Sequence, residues 1–129
     1  MLNIKRIHHI AIICSDYERS KKFYTEILGF KLLGELYRHE RKSYKADLAV
    51  NGQYQIELFS FPDPPQRVSR PEAAGLRHLA FEVNDIDTTV LLLRQKDIIA
   101  EPIRMDETTG KRFTFIADPD GLPIEFYEK

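Results

Sequence analysis

One cysteine, Cys14, stands alone in 129 residues, so no disulfide can form within the chain. That pattern fits a reducing compartment, and the cytoplasm is the expected location. Neither charge sign is in excess: 19 Lys and Arg face 20 Asp and Glu. Without a basic surplus, neither nucleic acid nor an anionic membrane is an expected partner. Long apolar runs are missing too. None approaches the ~20 residues a membrane helix needs, and Met1 to Arg6 show no signal-peptide core. Low-complexity tracts are absent, and apolar residues are spread along the whole sequence, which excludes a disordered chain. What is left is a chain of one-domain length, on a prior of roughly 100–200 residues per domain.

The chain repeats itself. His9-Ile-Ala-Ile-Ile-Cys-Ser-Asp16 is matched by His78-Leu-Ala-Phe-Glu-Val-Asn-Asp85, 69 residues further on. Asp16 and Asp85 are strong helix N-caps, because a short carboxylate accepts the orphan N–H groups of a first turn. A helical stripe follows the first at Phe23, Tyr24, Ile27 and Leu28 and ends at Gly29. Strand-like runs come next at residues 30–37, 43–50 and 54–61, with Asn51-Gly52 as a hairpin turn. The second half has runs at 100–105, 112–117 and 122–127, with Asp118-Pro119-Asp120-Gly121 as a tight turn. Each half reads strand–helix–strand–strand–strand, an α+β architecture. Module one covers about 1–61 and module two about 76–129 of a single domain, 1–129. The proline-rich linker, about 62–75, separates them.

The last strand of each half holds a glutamate between large apolar residues: Ile56-Glu57-Leu58 and Ile124-Glu125-Phe126. Strand alternation turns each glutamate away from its two neighbours. His9 precedes Glu57 by 48 residues and His78 precedes Glu125 by 47. If the modules are related by a pseudo-twofold axis, the four residues converge as two imidazoles and two carboxylates. That donor set suits a divalent transition metal, and Ni, Zn, Co, Mn and Fe(II) all fit it by ligand type. Alternation sends His8 to the opposite face from His9, which gives it a structural role. His39, in a charged run, reads as a solvated turn residue, and Cys14 as a small buried hydrophobe. Arg67 and Arg70 in the linker are either solvated charges or a clamp for an anionic substrate. Lys111 and Arg112 carry the same two readings. Phe59, Phe61 and Tyr127 are candidate pocket walls.

With Phe23-Tyr24-Thr25-Glu26-Ile27-Leu28-Gly29-Phe30 added to these motifs, the whole chain resembles the vicinal oxygen chelate superfamily. Within it, the chain is similar to the small bacterial glyoxalase-I-like (lactoylglutathione lyase-like) proteins. The resemblance implies paired βαβββ modules forming a curved mixed sheet around a metal-binding cleft. It implies His9, Glu57, His78 and Glu125 as ligands, Glu57 or Glu125 as the general base, and a homodimer. It implies lyase or isomerase chemistry through a metal-bound enediolate on a small substrate with adjacent oxygens. Extradiol-type dioxygenase and thiol transferase chemistry also occur in the superfamily, as do non-catalytic binding modules. Glyoxalase I proper carries Arg four residues after the first ligand and Asn four after the first glutamate, both associated with holding glutathione. Here these positions are Ile13 and Phe61, and an apolar side chain cannot grip a carboxylate or an amide.

Overall fold

The computed structural model describes every residue from Met1 to Lys129. The chain forms two compact units, Met1–Pro65 and Gln66–Lys129. Each has one four-stranded mixed sheet and one principal helix, so the architecture is α+β, as the strand–helix order predicts.

In the first unit, β1 (Ile10–Cys14) is rich in β-branched residues and leads into α1 (Tyr17–Lys22). Asp16 caps α1 by accepting the Arg19 N–H at 3.1 Å. The helix widens into one π-helical turn, Phe23–Ile27, which buries Phe23 and Tyr24. Gly29 then takes a left-handed φ of +78°, where a Cβ would be strained, and the chain turns away. β2 (Lys31–Arg38), β3 (Ser43–Val50) and β4 (Gln53–Ser60) complete the sheet in the order β1-β4-β3-β2. β1 and β4 are parallel, whereas the β3 pairings are antiparallel. Ile12, Leu48, Ile56 and Leu58 are buried in the core of this unit.

In the second unit, β5 (Leu79–Val83) runs to α2 (Ile86–Gln95). Asp85 caps α2 through the Asp87 and Thr88 N–H groups at 2.9 and 3.2 Å. β6 (Arg104–Met105), β7 (Arg112–Ala117) and β8 (Pro123–Glu128) follow, in the order β5-β8-β7-β6. The β7–β8 turn is built on buried Asp118, whose Oδ1 accepts the Asp120 and Leu122 N–H groups, each at 2.9 Å. Leu79, Ile86, Ile116 and Ile124 are buried here.

One expected strand is much shorter than its sequence suggests. The run at 100–105 pairs with β7 only at Arg104 and Met105. Pro102 has no N–H to give to a ladder, although the Glu101 N–H still reaches the Phe115 carbonyl at 3.0 Å. No helix is long and apolar enough to cross a membrane.

Candidate metal centre

Register places the first pair of functional side chains. β1 lies parallel to β4 with Ala11 opposite Glu57, and β5 lies parallel to β8 with Ala80 opposite Glu125. His9 and His78 each stand two residues before that alanine, immediately ahead of β1 and β5. His9 Nε2 sits 3.4 Å from Glu57 Oε2, and His78 Nε2 sits 3.4 Å from Glu125 Oε1. The flanking Ile56, Leu58, Ile124 and Phe126 point into the cores, which turns both carboxylates outward. Even so, the glutamate side chains are only 12% and 14% exposed, while the imidazoles remain open to solvent at 39% and 28%. A nearly buried carboxylate is costly without a partner, and each has a histidine.

The surroundings of the two pairs differ. Opposite Glu57 on β3 stands Asp47, with Lys45 on the same face. The Lys45 ammonium lies 3.3 Å from Asp47 and 3.8 Å from Glu57, between the two like charges. Tyr54 donates its hydroxyl to Glu57, and the same oxygen lies 3.3 Å from Asp47. Tyr54 is three residues from Glu57, so regular alternation would put it on the other face. A bulge corrects this: Leu48 pairs with Ile56 and Ala49 with Tyr54, which leaves Gln55 unpaired. Burial, and then the hydrogen bond to Glu57, hold the Tyr54 phenol well above its ordinary pKa. It stays a donor throughout the working pH range.

His8 departs from expectation. β1 starts at Ile10, so alternation does not govern residues 8 and 9. His8 Nδ1 lies 2.9 Å from His9 Nδ1, and its ring packs 5.8 Å from that of Tyr54. It therefore braces the nitrogen of His9 that faces away from Glu57.

In the second unit the wall is aromatic. Phe115 takes the place opposite Glu125 that Asp47 takes opposite Glu57. Phe115 meets the His78 ring edge-on at 5.1 Å. Glu125 has one ion-pair partner, His78, where Glu57 has His9, Lys45 and the Tyr54 hydroxyl.

The remaining candidates divide clearly. Arg112 is structural: it bridges Asp87 at 3.0 Å and Glu128 at 2.9 Å. Lys111 donates to the Lys129 carbonyl at 2.9 Å. Arg67 clasps its own loop, while Arg70 borders a cavity beside His78. Cys14 is buried and outside any disulfide, and His39 is an exposed turn residue. Phe59 and Phe61 stack on each other beneath Arg38. Tyr127 bonds Asp106 at 2.9 Å.

The donor chemistry fits a divalent ion. Two ligand atoms, each about 2.1 Å from one cation at the tetrahedral angle, stand about 3.4 Å apart. That matches the imidazole–carboxylate separation in both pairs. The structure brings each histidine to one glutamate and gathers no group of three or more candidate ligands.

Residues 6–126 match the Glyoxalase/Bleomycin resistance protein/Dioxygenase superfamily. The chain is 65% identical to the uncharacterized protein YwkD of Bacillus subtilis, over 98% of each chain. It is 32% identical to a lactoylglutathione lyase of Haemophilus influenzae, over 95% of this chain and 92% of that one. Among solved structures, it superimposes on a glyoxalase family protein from Enterococcus faecalis with a TM-score of 0.91 and 46% identity. That match covers 98% of this chain and all of the other.

Proposed function

This chain belongs to the Glyoxalase/Bleomycin resistance protein/Dioxygenase superfamily, and from that premise we propose that it is a metal-dependent lyase or isomerase of glyoxalase type. Its substrate is a small molecule with two adjacent oxygens. His9, Glu57, His78 and Glu125 together hold one divalent ion, each unit giving one His–Glu pair, so that residues 1–129 act as one functional domain. The observation that carries this reading is the duplication itself: the same pair, at the same 3.4 Å, at the same register position in both units. A satisfied ion pair explains one such site but gives no reason for two. The similarity to a lactoylglutathione lyase supports the same chemistry.

A divalent ion held by these donors supplies Lewis acidity toward vicinal oxygens. The rest falls to the chain. Glu57 is fixed by Tyr54 and Lys45 and serves as an anchored ligand. Glu125 is held by His78 alone and is the carboxylate free to take a proton from the carbon beside the reacting oxygens. Phe115, opposite Glu125 on β7, gives it an apolar neighbour. With Ile13 and Phe61 at the two glutathione-associated positions, the substrate is a compact molecule rather than a glutathione adduct. The protein acts as a homodimer, with each His–Glu set completed within one chain or between two.

The test pairs metal titration with a substrate screen. Chelator-treated full chain is titrated with Ni, Co, Zn, Mn and Fe(II). The loaded protein is then offered small α-hydroxycarbonyl compounds, with a glutathione hemithioacetal as the adduct expected not to turn over. Saturable binding, lost in Glu57→Gln and His78→Ala, together with turnover lost in Glu125→Gln, is the expected outcome. A chain that takes up no divalent ion overturns the proposal.

A further inference from the structure

Beside His78, and wholly within the second unit, lies a cavity of about 220 Å³ with cationic walls. Arg67, Arg70, Arg77 and Arg104 line it, against Glu72 and Glu101. The carboxylates do not neutralise the arginines. Glu101 answers only Arg104, at 3.4 Å, and Arg70, Arg77 and Glu72 make no ion pair. Arg67 bonds neutral oxygens alone: Ser69 Oγ at 2.8 Å and the Leu76 and Arg77 carbonyls at 2.7 Å each. Those bonds tie residue 67 to residues 76 and 77, so the loop carrying three of the arginines is held in shape.

The cavity reaches His78, one of the candidate ligands. The Arg104 guanidinium lies 5.0 and 5.6 Å from the Phe113 and Phe115 ring centres, and Phe115 meets His78. Three arginines without a carboxylate partner repel one another, and a concave site concentrates their field on whatever enters. A guanidinium presents its donors as a planar fork that matches a carboxylate or a phosphate. The volume is below the ~300–1,000 Å³ typical of drug-sized ligand sites, which fits a compact group.

We propose that this cavity is an oxyanion subsite, which takes the carboxylate or phosphate group of a small substrate whose reacting oxygens lie at the His78–Glu125 end. The substrate assignment rests on the metal-enzyme reading above; the capture of an oxyanion does not. Arg70 and Arg77 are the gripping residues, Arg104 closes the aromatic side, and Arg67 holds the loop.

The test titrates ¹⁵N-labelled, metal-free full chain with inorganic phosphate and, separately, with acetate, followed by amide shifts. Saturable shifts confined to residues 67–78, 101–104 and 115 are expected, and the tighter arm tells phosphate from carboxylate. Arg70→Gln/Arg77→Gln weakens that binding about tenfold or more, the loss of hydrogen bonds to a charged group. Its circular dichroism is unchanged, because neither side chain is bonded in the fold. Arg77→Lys, which keeps the charge and loses the fork, falls between the two. Absence of saturable shifts with either anion, or equal affinity in the double variant, overturns the subsite. Metal titration of the same proteins separates the two claims. Anion binding by a chain that takes no metal refutes the enzyme reading alone, and metal binding without anion capture refutes the subsite alone.

Discussion

Replacing Tyr54 with Phe removes one oxygen and leaves the ring where it packs on His8 and His9, at 5.8 and 6.2 Å between centres. Glu57 then loses its hydroxyl donor and keeps His9 and Lys45, 3.4 and 3.8 Å away, against the like charge of Asp47. A hydrogen bond to an ionised group contributes about 1.5–3 kcal/mol. Groups that orient metal ligands contribute about 10–100-fold in metal affinity, which is ~1.4–2.8 kcal/mol at 1.4 kcal/mol per tenfold. The two routes give the same size of effect, so Tyr54→Phe should bind a divalent metal about 10–100-fold more weakly than the parent chain. The assay is competition against a chromophoric chelator, with Glu57→Gln as the reference for complete loss and circular dichroism as the control for folding. If Tyr54→Phe keeps parental affinity while Glu57→Gln loses it, Tyr54 does not position Glu57 and this reasoning fails.

Other expectations concern the brace, the charge network on β2 and the core. His8→Ala should weaken metal binding by up to about tenfold, because His9 loses the group that faces its Nδ1; the chelator competition reads this directly, and no change would make His8 incidental. Glu35 is held below its ordinary carboxylate pKa by the Tyr17 hydroxyl and then Lys21. Its contribution is therefore present above the unfolded value of about 4.3 and is lost as pH falls through the lower folded value. Glu35→Gln should cost about 1 kcal/mol at pH 7, a modest figure because the side chain is 38% exposed. Urea melts at pH 7 and below pH ~3 should show the difference from parent shrinking with acid, and a gap that widened would contradict the network. Leu58→Ala, at a fully buried position, should cost about 2–5 kcal/mol in the same melts. A loss under about 1 kcal/mol would mean that β4 is not the centre of the first core.

The parts of this fold visible in the sequence are those set by short-range rules. Asp16 and Asp85 announce their helices because capping needs one side chain and the next three residues. Glu57 and Glu125 announce their direction because alternation needs only their immediate neighbours. The 69-residue repeat ties those local signals into matching pairs, which is why both His–Glu contacts were foreseeable. What escaped depends on pairing between distant strands. Tyr54 reaches Glu57 only because a bulge against β3 skips Gln55, and a bulge is a property of register, not of one strand's pattern. His8 escaped because β1 begins two residues later than the alternation argument assumed. The contrast between Asp47 and Phe115, which gives the two glutamates different surroundings, also needs the register before it can be seen. Pro102 was the local sign that the run at 100–105 would not pair along its length.

The proposed centre is one divalent ion held by two duplicated His–Glu pairs. The most direct measurement is elemental analysis of untagged full chain, stripped with chelator, reloaded and desalted, with metal counted per subunit alongside molar mass. Near-stoichiometric Ni, Co or Zn is expected in the parent chain, and its loss in both His9→Ala and His78→Ala, each still folded. Full metal content in either variant would remove that histidine from the site. No metal in the parent after reloading would rule out the centre and leave the two pairs as ion pairs of a protein that binds its ligand without metal chemistry.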